Sequence, residues 1–219
     1  AARGRRGRTC AANTEKCIYP VPQTEKLNEK PQKGYRAALV AAHRRIFMKK
    51  SDTYTYELDG NLYINLTNKC SNACTFCVRN DKDAYFGHEL WLEKEPSAKE
   101  VLARIPEDID RYKEYVFCGF GEPTCRLEAM LEIARALKAR GAVTRLNTNG
   151  QGSLINGRDI SKDLAGAIDK INVSLNEATA EEYVNLCKPA YGEKAFYALQ
   201  DFAKACAGRG IDVWFSVVD

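Results

Sequence analysis

From Tyr115 onward the sequence alternates short apolar runs with longer stretches of helical spacing, a rhythm that few folds accommodate. Tyr115 to Phe120, Ala142 to Leu146, Ile171 to Leu175 and Val213 to Val218 read as buried strands. Between them, Leu127, Met130, Leu131, Ala134 and Leu137 fall on one helical face that Gly141 closes. Phe196, Leu199, Phe202, Ala203 and Cys206 make a second such face, and a short helix is expected near Ser161 to Ile168. Ser97 with Glu100, and Thr179 with Glu182, form capping boxes, while Pro106 and Pro189 interrupt the helices they start. Upstream, Tyr54, Tyr56 and Leu58 alternate with polar residues. Asp59-Gly60 then supplies a type I′ turn, and Leu62, Ile64 and Leu66 form the returning face of a β-hairpin. Strands alternating with helices cross right-handed and build a parallel sheet with helices outside. The expectation is an α/β fold, a hairpin leading into a partial TIM-like (β/α)6 barrel, with chemistry at the C-terminal ends of its strands.

Charge divides the chain. Residues 1–50 carry 13 Lys/Arg against 3 Asp/Glu, whereas residues 51–219 carry 20 against 26. Residues 1–50 also hold Pro20, Pro22 and Pro31 among polar residues, so they read as a basic, linker-like extension, with one short helix expected from Tyr35 to Phe47. Residues 51–219 read as the core domain. Arg3, Arg5, Arg6 and Arg8 lack interleaved aromatics, which favours a solvated segment over a nucleic-acid arm. No apolar run approaches the ~20 residues of a membrane span, and no signal peptide is visible. A cytoplasmic location is therefore expected. Nine cysteines in such a chain point to metal or redox chemistry rather than a disulfide framework.

Cys70-Ser-Asn-Ala-Cys74-Thr-Phe-Cys77 follows directly on the hairpin's second strand. A [4Fe–4S] cube usually takes four thiolates, so three in one loop leave an iron open to an outside ligand. A zinc site and unligated structural cysteines are the competing readings. Zinc normally takes four ligands, and neither His43 nor His88 stands at a finger-like spacing. Further polar motifs follow later strands: Cys118-Gly119-Phe120-Gly121-Glu122-Pro123-Thr124, Asn147-Thr148-Asn149-Gly150 and Ser174-Leu175-Asn176. Glycines allow close backbone approach, and a carboxylate such as Glu122 accepts from an ammonium group.

The cysteine spacing, with Phe76 before the third cysteine, resembles the signature of the radical S-adenosylmethionine (SAM) superfamily. The resemblance implies a radical SAM type of barrel with a [4Fe–4S] cluster on Cys70, Cys74 and Cys77. SAM chelates the open iron, and one electron cleaves it to methionine and a 5′-deoxyadenosyl radical that abstracts hydrogen from substrate. It further implies Phe76 near adenine, Gly119, Phe120, Gly121 and Glu122 at the methionyl amino end, and Asn147, Asn149, Ser174 and Asn176 as further SAM contacts. The runs Glu57 to Asn68, Leu90 to Pro96, Val116 to Thr124, Arg145 to Gln151 and Val173 to Asn176 are similar to TatD-associated radical SAM proteins over about residues 52–219. The implied partners are an electron donor such as flavodoxin or ferredoxin and a TatD-type nuclease, with no membrane or nucleic acid. The chain stops at Asp219, after the fifth parallel strand, so the barrel is expected to lack its closing helix and strand. Cys118, Cys125, Cys187 and Cys206 are irregularly spaced and read as packing residues, Cys206 within the core. Arg79, Asp81, Lys82 and His88 read as a surface loop.

Overall fold

The computed structural model describes residues 50–82 and 84–218. The basic extension and the helix expected from Tyr35 to Phe47 lie outside them. Strands β1 (Thr55–Leu58) and β2 (Asn61–Ile64) form the expected hairpin, with Leu58 paired to Asn61. Both turn residues take positive φ, 53° at Asp59 and 77° at Gly60, as a type I′ turn requires. A second, smaller hairpin of β3 (Ala84–Tyr85) and β4 (His88–Glu89) turns through Phe86 and Gly87, also at positive φ.

Helix α1 (Ala98–Leu102) starts in a full capping box, since Glu100 N donates to Ser97 Oγ and Ser97 N donates to the Glu100 carboxylate. It ends before Pro106, which disfavours helical geometry at the residue ahead of it, yet Val101 and Ile105 are both buried. There follow β5 (Tyr115–Phe117), a 3-10 turn (Pro123–Arg126) and α2 (Leu127–Lys138). Next come β6 (Thr144–Thr148), the short helices α3 (Gly152–Asn156) and α4 (Ser161–Leu164), and β7 (Lys170–Ser174). The chain then runs through α5 (Ala180–Cys187), α6 (Lys194–Ala207) and β8 (Asp212–Ser216).

Among the described residues one sheet runs β1-β2-β5-β6-β7-β8, antiparallel at β1/β2 and parallel thereafter. It does not close on itself, which makes it the partial barrel expected. Phe117, Leu146, Ile171 and Val213 stand in register across four strands, and the first three are fully buried. The apolar stripes of α2 and α6 cover that face. Each such side chain contributes roughly 1.5–3 kcal/mol by leaving water. The other face differs. Along β6 and β7 the alternate residues Arg145, Asn147, Lys170, Asn172 and Ser174 are only half-buried. The strand period of two thus separates a packed apolar side from a polar, accessible side. Among the described residues no helix is long and apolar enough to cross a membrane.

Candidate functional site

The cysteine loop is held at its stem before any ligand is considered. Asn68 acts as a substitute strand for Leu92, donating from Nδ2 to its carbonyl at 2.8 Å and accepting its N–H at 3.0 Å. Thr67 Oγ1 donates to Glu95 at 2.7 Å, and Glu95 also pairs with Lys69 and Arg126. Arg79, expected in a surface loop, instead folds back under the cysteines. Its guanidinium donates to the carbonyls of Asn68 and Phe120 at 3.1 Å and of Asn72 at 3.2 Å. Backbone carbonyls carry no residue identity, so nothing in the sequence marked this clamp.

Cys70, Cys74 and Cys77 are all half-buried free thiols on this one loop. Asn72 N donates to Cys70 Sγ at 3.4 Å, and Asn149 Nδ2 approaches it at 3.8 Å. Burial, followed by the Glu122 carboxylate, pushes the Cys70 thiol up to about 11. The neighbouring Cys187, together with burial, holds the Cys74 thiol well above its ordinary range, while Cys74 in turn lowers that of Cys187. Phe76 is half-buried against the main core.

The glycine motif lies against the loop from the other side. A Cβ on Gly119 would sit 2.1 Å from Asn65 Oδ1, and one on Gly121 would sit 2.2 Å from the carbonyl oxygen of Thr67. The glycines permit close approach to the stem of the cysteine loop. Phe120 packs edge-on to Trp91, ring centroids 5.3 Å apart, in a small cluster with Tyr56 and Leu90. Glu122 is buried. Its Oε1 accepts from Thr124 N (3.1 Å), Thr124 Oγ1 (2.7 Å) and Thr148 Oγ1 (2.8 Å), and its Oε2 accepts from Asn149 N (2.8 Å). Burial raises its carboxyl above the usual range while these donors oppose the shift. Glu122 thereby ties the end of β5 to the end of β6.

From β6, Asn149 also donates to Ser71 Oγ at 2.9 Å, and the neighbouring Gln151 connects to Asn72 and to Tyr183 of α5. Gln151 and Tyr183 anchor the loop although neither stood out in the sequence. Burial pushes the Cys118 thiol up, and the nearby Asn147 amide opposes the shift. The Asn147 Oδ1, and that of Asn172 directly beside it on β7, are buried without a hydrogen-bond partner among the described residues. Ser174 ends β7 opposite Ser216. Asn176, left-handed at φ 62°, donates from Nδ2 to Cys187 Sγ at 3.4 Å. The structure thus gathers Glu122, Asn149 and the cysteine loop into one hydrogen-bonded unit. Asn147 faces the polar side of the sheet, and Asn176 turns to Cys187.

The donor set fits an iron–sulfur cube. Three thiols share one loop, and N–H groups are aimed at one of the sulfurs, the kind of contact that stabilises metal-bound thiolate. A lone zinc ion, at ~2.3 Å from each sulfur, needs ligands converged on one point. Among the described residues no three His, Cys, Asp or Glu side chains, the three loop cysteines included, are gathered closely enough for a single ion.

Comparison with known proteins agrees. The chain is 35% identical over 124 residues to a protein of Thermococcus kodakarensis named "Probable GTP 3',8-cyclase". It is 32% identical over 130 residues to a protein of the same name from Methanocella arvoryzae. These matches cover 56% and 58% of this chain but only 37% and 38% of those proteins. Among solved structures, it is similar to SuiB of Streptococcus suis bound to precursor peptide SuiA, with TM-score 0.52, 16% identity, and 93% and 42% of the two chains covered. It is also similar to native anSMEcpe with bound AdoMet and Cp18Cys peptide, with TM-score 0.51, 18% identity, and 71% and 42% covered. At these identities the likeness is one of fold. The radical SAM superfamily model matches residues 64–218. The chain belongs to the radical SAM superfamily, whose enzymes use a [4Fe–4S] cluster and SAM.

Proposed function

We propose that this chain binds SAM beside a cluster held by Cys70, Cys74 and Cys77, and cleaves it to start hydrogen abstraction from a substrate on the polar face of the sheet. When bound, the cluster supplies one electron that splits SAM into methionine and a 5′-deoxyadenosyl radical. The observation that carries the reading is the Glu122–Asn149–Cys70 connection, which places two strand-end motifs at the cysteine loop. In it, Glu122 Oε2, which accepts from Asn149 N alone among the described residues, has a lone pair for the ammonium of SAM. The unpartnered Asn147 and Asn172 oxygens are acceptors for N–H or O–H groups of a ligand, because buried polar atoms are stable only when paired. Phe76 lies near adenine in this arrangement, with Ser174 and Asn176 at the ribose side.

The motif runs from Glu57 to Asn176 support the TatD-associated branch, with cytoplasmic flavodoxin or ferredoxin as electron donor and a TatD-type nuclease as associate. A second reading, nucleotide cyclisation, is supported by the two relatives named probable GTP 3',8-cyclases. On the polar face Arg145 and Lys170 both pair with Glu114, so that trio offers a triphosphate one net positive charge. The chemistry is of oxidoreductase or lyase type in either case. Anaerobically reconstituted protein, given SAM and dithionite, is expected to release 5′-deoxyadenosine. A fully loaded sample that releases none favours a non-catalytic iron–sulfur protein acting as partner or sensor. Adding GTP and analysing the nucleotide products separates the two substrate readings.

A further inference from the structure

Residues 71–75 of the cysteine loop run antiparallel to residues 186–190 at the end of α5. Ala73 N donates to Lys188 O at 3.3 Å and to Cys187 O at 3.1 Å, Thr75 N donates to Leu186 O at 3.0 Å, and Ala190 N donates to Ser71 O at 2.8 Å. Asn72 bridges Pro189 in the same register. Cys74 therefore lies between two residues bonded to the carbonyls of Cys187 and Leu186, which sets it beside Cys187 where α5 ends and Lys188 turns left-handed at φ 44°. Disulfides span Cα separations of roughly 4.4–6.8 Å. Both residues are free thiols. Cys187 is fully buried and is fixed by Asn176 Nδ2, whereas Cys74 is half-buried and reachable by a small oxidant.

We propose that Cys74 and Cys187 join in a disulfide when the loop carries no cluster and the protein meets a peroxide, and that this bond blocks cluster insertion. The blocking role rests on Cys74 being a cluster ligand; the pairing itself does not. Hydrogen peroxide oxidises the Cys74 thiol to a sulfenic acid, releasing one water. The Cys187 sulfur then attacks the Cys74 sulfur, forming the S–S bond and expelling the hydroxyl as a second water. Two thiols lose two electrons and one peroxide gains them. A Cys74 sulfur bound to iron would not be a free thiol, so this route to the Cys74–Cys187 bond is open to the metal-free chain. The reductant that reopens the loop is a dithiol.

Peroxide treatment of the full metal-free chain, then alkylation, digestion and non-reducing peptide mass spectrometry, decides the pairing without any variant. A Cys74–Cys187 linked peptide is expected. Iron uptake from ferrous ion and sulfide is expected to be lost after peroxide and restored by dithiothreitol, while Cys187→Ala retains uptake after the same treatment. Linkage of Cys74 to Cys77 or Cys70 instead, or equal loss of uptake in C187A, overturns the proposal. If untreated protein takes up no iron while the linked peptide still forms, the cluster reading fails and the pairing stands.

Discussion

Asn149 reaches Cys70: its side-chain amide lies 3.8 Å from the sulfur, while its own backbone N–H is held by Glu122 at 2.8 Å. The loop after β6 therefore touches the first cysteine of the motif directly. Hydrogen bonds to cluster sulfurs stabilise the reduced, more negative state. Asn149→Ala is expected to lower the reduction potential and to weaken iron retention or activity by about 10–100-fold. Potentiometric electron paramagnetic resonance and iron analysis read the two effects, and an unchanged potential would sink the assignment.

Arg79 joins three carbonyls with one planar fork. A lysine keeps the charge but cannot span them. Arg79→Lys is expected to reduce iron retention by about tenfold, the low end of what such supporting contacts are worth. Urea stability should change much less, because the apolar core lies elsewhere. Iron retention equal to that of the unaltered chain would show the clamp to be incidental.

Gly121→Ala forces a methyl against the backbone oxygens of Thr67 and Lys69, at 2.2 and 2.6 Å. Backbone cannot swing aside as a side chain does. A loss of about 1–3 kcal/mol is expected, together with poor iron loading, measured by urea denaturation and iron analysis. If stability holds, the stem and the glycine motif are not packed as described.

Asp169 links three elements, accepting from Lys138 Nζ at 2.7 and 2.8 Å and from Thr144 N at 2.8 Å. Burial works against its charge, but Lys138 and Thr144 hold its carboxyl below the usual range. A carboxylate with a lowered folded-state pKa contributes stability above its unfolded value, ~3.9, and loses it as pH falls through the lowered one. Because Asp169 and Lys138 are each about a third exposed, the contribution at neutral pH is set at about 1–2 kcal/mol. Asp169→Asn should remove it and flatten the acid limb of the stability profile. A limb that stays as steep places the titration elsewhere.

What was legible in the sequence was what local rules govern. The Asp59-Gly60 turn, the Ser97 capping box and the alternation of β6 and β7 each depend on neighbours within a few positions. The cysteine loop was legible as well, because its three thiols are contiguous and follow a strand. The purpose of Gly119 and Gly121 was not, since their partners, Asn65 and Thr67, lie more than fifty residues away. Arg79 and Tyr183 escaped for a related reason: they act on backbone oxygens or on amides brought close only by the folded sheet. The hairpin at Phe86-Gly87 lacked the alternating apolar residues that mark longer strands.

Along β6 and β7 the cost of replacing a residue switches at every step. Leu146, Ile171 and Val173 are enclosed on all sides, so altering them threatens the whole domain, whereas Asn147, Asn172 and Ser174 stand half-buried on the accessible side. Exchanging the second group leaves the packed side intact. One strand can in this way answer to two separate demands, the even spacing of its residues keeping folding and surface chemistry on opposite sides.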